Sequence, residues 1–164
     1  LERIRDYNPE MKIVLSLREP GARAFSNWAM QADRGLDPRP FSEAIRARHL
    51  DRRPRRRGYL SRGEYAAQIA RALDLFGQER VHVIIYEQFR KNPNGVLSQL
   101  MAFLGVENWK FKQPQREVLP YARSDAPKAP SETDRAFLEG YYHEDIRRVE
   151  ALLGRDLTKW WRQT

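Results

Sequence analysis

Two periods organise the hydrophobic positions of this chain. Residues 11–17, "MKIVLSL", are β-branched or aliphatic at nearly every position, which predicts a strand buried on both faces of a parallel sheet. Residues 80–87, "RVHVIIYE", repeat that pattern and predict a second such strand. Elsewhere the apolar positions fall at helical spacing. Ala22, Phe25, Trp28, Ala29 and Ala32 form one stripe behind Pro20, a residue suited to the first turn of a helix. Tyr65, Ile69, Ala72, Leu73 and Phe76 form a second, in a helix predicted over 62–76 and stopped by Gly77. Val96, Leu97, Leu100, Met101 and Leu104 form a third, over 94–104 and closed by Gly105. Ser131, with Asp134 three positions on, opens a long helix that runs to Gly154, and "DLTKWW" adds a packed turn. A short helix is expected over 41–50 with the capping-type Ser42 near its start.

A strand, roughly 60 residues containing helices, and a second strand make a parallel crossover, right-handed by default. The fold class is therefore α/β, a short parallel sheet flanked by helices. A chain of 164 residues is long enough to bury a real core within one domain. "GLDPRP" is a loop, and residues 106–130, broken by Pro114, Pro120, Pro127 and Pro130, form an irregular stretch of a length that usually signals function or disorder.

Composition narrows the chemistry. Lys and Arg number 30 against 22 Asp and Glu, a formal net charge of +8. That balance attracts nucleotides, sulfated or uronic sugars, nucleic acid or acidic lipid. The absence of cysteine excludes disulfides and thiolate chemistry, and His49, His82 and His143 offer no metal-ligand spacing. No apolar run approaches the roughly 18–20 residues that cross a bilayer, and the opening "LERIRDYNPE" is too charged for a signal peptide. The expectation is a soluble, cytoplasmic protein with no metal and no membrane partner. The run "DRRPRRRG" at 51–58 reads as a solvated loop, as a guide for an acidic acceptor, or as a polyanion- or nucleic-acid-binding module built on Arg52–Arg57. The last needs aromatic residues between the arginines for stacking, and the run has none. GxxxxGK[ST] does not occur, which disfavours a P-loop kinase.

In open α/β folds ligands bind beyond the carboxyl ends of the strands. Arg18 follows the first predicted strand, and Tyr86 and Glu87 follow the second. Ser26 lies eight positions past Arg18, about one and a half turns into the next helix. A phosphate suits that set, since the guanidinium gives a bidentate charged donor, the helix start adds N–H groups and Ser26 a hydroxyl. Spacing alone leaves a plainer reading equally open, in which Arg18 pairs with Glu19 or a helix carboxylate and Ser26 is a surface residue. Trp28 and Phe25 are expected to be largely buried with Ser26 turned to the crevice. Glu87 reads as a structural acceptor for the turn that follows it rather than a catalytic base.

The string "LREPGARAFSNW" resembles the 3'-phosphate-binding segment of sulfotransferases that use 3'-phosphoadenosine 5'-phosphosulfate (PAPS), whose pattern is an apolar strand, L-R-x-P, a short spacer and R-A-x-S. Leu17, Arg18, Pro20, Arg23, Ala24 and Ser26 carry the match. "RGEYAAQIARALDLF" is similar to the family's R-G-x-Y helix, and "VHVIIYEQFRKNPNGVLSQLMAFLGV" to its strand, Y-E, N/D-P, helix and F-L-G series. The closing "LLGRDLTKWW" resembles the G-x-D-L-x-x-W of bacterial members, so the likeness runs over roughly residues 11–161. It implies a P-loop-NTPase-like sulfotransferase fold, with PAPS as donor and its bisphosphate PAP as product. It implies that Arg18 and Ser26 hold the 3'-phosphate and that Tyr86 lies beside the nucleotide. Arg62 and Tyr65 match a helix start that borders the acceptor cleft in carbohydrate sulfotransferases, although Tyr65 on its stripe also reads as core. Arg123 and Lys128, in "YARSDAPK", occupy the region of the C-terminal nucleotide loop.

The family's K-x-G-T-(T/S) phosphosulfate loop does not occur in these residues, nor does an acid or histidine in "LERIRDYNPE" with the context of its proton acceptor. The expectation is a single, partial sulfotransferase domain over 1–164, lacking the N-terminal strand, loop and helix. No catalytic residue is assigned. Sulfuryl would pass to a hydroxyl or amine, with a carbohydrate among the candidate acceptors.

Overall fold

The computed structural model describes residues 1–47, 58–109, 112 and 129–160. Two parallel strands, β1 (Ile13–Leu17) and β2 (Val81–Ile85), pair in register from Ile13 with Val81 to Leu17 with Ile85. The helices are α1 (Glu2–Tyr7), α2 (Pro20–Asp33), α3 (Phe41–Arg46), α4 (Ala66–Phe76), α5 (Tyr86–Lys91), α6 (Pro93–Leu104) and α7 (Glu132–Leu153). Short 3-10 turns occur at Ser61–Gly63, Gln78–Arg80 and Thr158–Trp160. The α/β class and the parallel sheet follow the hydrophobic pattern. Among the described residues no helix is long and apolar enough to cross a membrane.

The chain forms two compact units. One carries α1, both strands, α5, α6 and all but the first residue of α4; the other carries α2, α3 and α7. In the sheet-bearing unit the inward positions Ile13, Leu17, Val81, Val83 and Ile85 are buried together with Ile69, Ala72 and Phe76 of α4. β1 is not buried on both faces: Val14 is 41% exposed and Ser16 is also exposed. Branched residues favour the pleat whether or not they are covered, so an unbroken aliphatic run does not distinguish the two cases. Asn92 caps α6, its side chain accepting the Gly95 N–H at 3.0 Å ahead of Pro93 at the first helical position. Gly105 closes that helix at φ +76°, and the Val106 N–H reaches back to the Met101 carbonyl at 3.1 Å.

The other unit buries Ala24, Trp28, Phe41, Ile45, Tyr59, Leu60, Leu138, Tyr142, Ile146 and Val149. The buried stripe of α2 is Pro20, Gly21, Ala24, Trp28 and Ala29, rotated from the expected one. Trp28 is buried as anticipated, while Phe25 sits half-buried at the stripe's edge, 5.5 Å from Trp28 and 5.0 Å from Phe41 between ring centroids. α3 starts at Phe41 on the Pro40 carbonyl, which accepts from Glu43 and Ala44, so Ser42 is inside the helix rather than its cap, and the helix ends at Arg46. α7 begins as predicted: Ser131 Oγ accepts the Asp134 N–H at 3.1 Å, and Gly154 closes the helix at φ +59°. α1 has no counterpart in the periodicity reading, because six charged and polar-flanked residues carry too short a stripe.

Candidate functional site

The parallel register brings the carboxyl ends of both strands together, since Leu17 and Ile85 are the last paired positions. The next residue of each strand leaves that edge side by side: the Arg18 guanidinium carbon lies 5.2 Å from the centre of the Tyr86 ring. One residue further, the Glu19 N–H donates to Glu87 Oε1 at 3.0 Å. Glu87 therefore acts as a structural acceptor for the turn between β1 and α2. All four residues are half-buried, shielded enough to strengthen a charged contact yet partly exposed to solvent. The structure thus assembles Arg18, Tyr86 and Glu87 at one strand edge.

Ser26, Arg62 and Tyr65 belong to the helical unit. Ser26 is half-buried in the second turn of α2. Three residues before it, Arg23 Nη2 donates to the Tyr59 carbonyl. Arg62 is exposed in the 3-10 turn Ser61–Gly63, so it stands before the helix and not within it. Tyr65 is buried against Trp160, 6.4 Å between ring centroids, immediately ahead of α4. Arg123, Lys128 and the run Arg52–Arg57 lie outside the described residues.

The segment from Tyr59 to Ala66 is gripped by α7. The Tyr142 hydroxyl donates to the Leu60 carbonyl at 2.8 Å, and Tyr141 donates to Glu64. Asp145 accepts the Tyr65 N–H at 2.7 Å and the Ala66 N–H at 3.2 Å, satisfying donors at the start of α4. Burial pushes the Tyr142 phenol well above its usual range, so it stays a neutral donor. Gly63 makes this approach possible: a Cβ there would lie 2.7 Å from the Tyr142 hydroxyl oxygen. Nearby in the chain, buried Asp37 accepts from Arg39 Nε at 2.8 Å, Arg39 Nη2 at 2.5 Å and the Tyr59 hydroxyl at 2.9 Å. The Arg39 hydrogen bonds hold the Asp37 carboxyl below the ordinary carboxylate range, against the opposing effect of burial. Nothing in the local pattern marks Tyr142, Asp145 or Asp37 as partners of this segment; the glycine at 63 is the one residue whose type hints at a close approach.

The model of the sulfotransferase domain family matches residues 5–129. The chain belongs to that family. It is 27% identical over 183 aligned positions to the bifunctional heparan sulfate N-deacetylase/N-sulfotransferase 4 of Mus musculus, an alignment that covers 94% of this chain and 21% of the mouse protein. It is 32% identical over 128 positions to the bifunctional heparan sulfate N-deacetylase/N-sulfotransferase of Drosophila melanogaster, covering 73% of this chain and 12% of the fly protein. The crystal structure of a sulfotransferase from Alicyclobacillus acidocaldarius superposes with a TM-score of 0.84 at 32% identity, over 98% of this chain and 62% of the other. The chain thus spans about a fifth or less of the two animal proteins and under two thirds of the bacterial one.

Proposed function

We propose that the protein serves sulfuryl transfer from PAPS to an acceptor on a glycan, and that Arg18 and Ser26 bind the donor's 3'-phosphate with Tyr86 beside the nucleotide. The observation that carries this reading is the Arg18 guanidinium at the end of β1, lying over the ring that follows β2. The donor set suits the group: a guanidinium offers a planar fork of N–H donors to phosphate oxygens, and a phenol ring offers a face to a base. When bound, PAPS supplies the sulfuryl group and a phosphate leaving group, and the role left to the chain is positioning and charge stabilisation. The names of the two animal relatives favour an acceptor nitrogen on a heparan-sulfate-like glycan, and the net charge of +8 suits so acidic a substrate. Arg62 is assigned to the acceptor side, with Tyr65 left to the core against Trp160; Arg123 and Lys128 are assigned to the nucleotide, and Arg52–Arg57 to guiding the acidic chain.

These 164 residues are read as part of one sulfotransferase domain that carries the 3' side of the nucleotide site and lacks the phosphosulfate loop. They are expected to bind PAP in the micromolar range or more weakly, and to transfer no sulfuryl from PAPS to N-desulfated heparin. Titration calorimetry with PAP tests the site. Arg18→Ala should weaken binding about 10- to 100-fold, the loss of a charge-assisted contact, while Arg57→Ala changes it little. Equal losses would overturn the assignment. Measurable turnover would mean that residues other than a K-x-G-T loop hold the phosphosulfate, with Lys128 and Arg123 the first to substitute.

A further inference from the structure

Ile85 at the end of β2 and the two residues after it hold Leu17 at the end of β1 and the two residues after that. Ile85 pairs with Leu17 in the ladder, the Tyr86 ring lies against the Arg18 guanidinium, and the Glu87 carboxylate accepts the Glu19 N–H. Arg18 is therefore fixed through its head group and through the backbone on either side. The third hold matters because Pro20, the first residue of α2, has no N–H and confines Glu19 to extended conformations. The Glu19 N–H is the last backbone donor before the helix, and Glu87 takes it.

We propose that Glu87 is a positioning residue for the phosphate site: by holding the Glu19 N–H it sets the direction in which Arg18 leaves β1, and so presents the guanidinium to the 3'-phosphate. This inference rests on the reading of Arg18 as a 3'-phosphate ligand. A carboxylate placed close to a phosphate works against binding by charge repulsion, so its contribution must come through the hydrogen bond it accepts. Glutamine offers the same oxygen without the charge, and alanine offers neither. The two substitutions separate geometry from electrostatics.

The test uses the whole 164-residue chain and PAP, with affinities followed by nuclear magnetic resonance so that millimolar binding is measurable. Glu87→Ala should lower PAP affinity about tenfold, and Glu87→Gln should stay within about twofold of the parent or bind more tightly. In an Arg18→Ala background, Glu87→Ala should add almost nothing, a coupling that a general loss of stability would not produce. Amide exchange at Glu19 should speed up about tenfold in Glu87→Ala and much less in Glu87→Gln. The positioning role is overturned if Glu87→Ala binds PAP as the parent does while Arg18→Ala binds poorly. It is also overturned if the Glu87→Ala loss is the same with and without Arg18. An Arg18→Ala chain that binds PAP as well as the parent overturns the phosphate reading itself, and the positioning role with it.

Discussion

At the carboxyl ends of the strands, Arg18, Tyr86 and Glu87 are half-buried, with the Arg18 guanidinium against the Tyr86 ring and Glu87 accepting the Glu19 N–H. In the helical unit the polar groups are sunk deeper: Tyr142 and Asp37 are each 1% exposed, and both satisfy partners that would otherwise be stranded away from water. An unmet polar group in the interior costs its full desolvation, whereas a half-exposed one falls back on solvent. The helical unit therefore uses its polar side chains to keep the fold. The polar side chains at the strand ends are half-buried and rest partly on solvent. Substitutions should separate the two regions by size of effect on stability.

The largest loss belongs to Tyr142→Ala, about 3–5 kcal/mol, from an emptied aromatic site and a stranded Leu60 carbonyl. Urea unfolding measures it, and Tyr142→Phe should recover all but about 1–2 kcal/mol. Gly63→Ala comes next at about 2–3 kcal/mol, because the new methyl meets the buried Tyr142 ring with no flexible chain to give way. In the same unit, Asp37→Asn should cost about 2 kcal/mol at neutral pH, with the partly exposed Arg39 rehydrating in part. Its pH dependence has a definite sign. Asp37 titrates lower in the folded chain than in the unfolded one, so its contribution is complete above about pH 5 and is lost as the pH falls through the depressed folded value. Asp37→Asn should accordingly flatten the acid limb of a plot of stability against pH.

Smaller effects are expected in the sheet-bearing unit. Asn92→Ala removes the cap of α6 and should cost about 1 kcal/mol, read from the shift in the urea midpoint. Arg18→Ala should change stability less than these, with about 0.5 kcal/mol from the loss of a partly exposed cation over a ring. Its effect on PAP binding is the larger one. An Arg18→Ala chain destabilised as much as Tyr142→Ala would erase the contrast, because the strand end would then contribute to stability as a buried core does.

Much of this was legible in local pattern. The aliphatic runs of β1 and β2, the helical period of α6, the Ser131 start of α7 and the glycines at 105 and 154 all act over a few residues, and the structure has each in place. The prediction that Arg18 and Tyr86 leave neighbouring strand ends needed only a parallel crossover and the rule that such ends gather polar residues. The exposed Val14, the rotated stripe of α2 and the place of Ser42 inside α3 rather than at its cap were not legible. Each depends on what packs against the segment, and a periodic pattern carries no record of its neighbours.

The sequence by itself determined the α/β class, the positions of the strands and long helices, and the short motif that places an arginine at one strand end and a tyrosine at the other. Those features arise from backbone preferences and nearest-neighbour spacing, which reach no further than a turn or a strand. Only the tertiary structure decided that Glu87 serves the backbone of Glu19, 68 residues away, and that Asp145 caps α4 from 80 residues downstream of Tyr65. A hydrogen bond forms wherever folding brings a carboxylate within about 3 Å of an unmet N–H, and that proximity belongs to the packed chain rather than to any stretch of it.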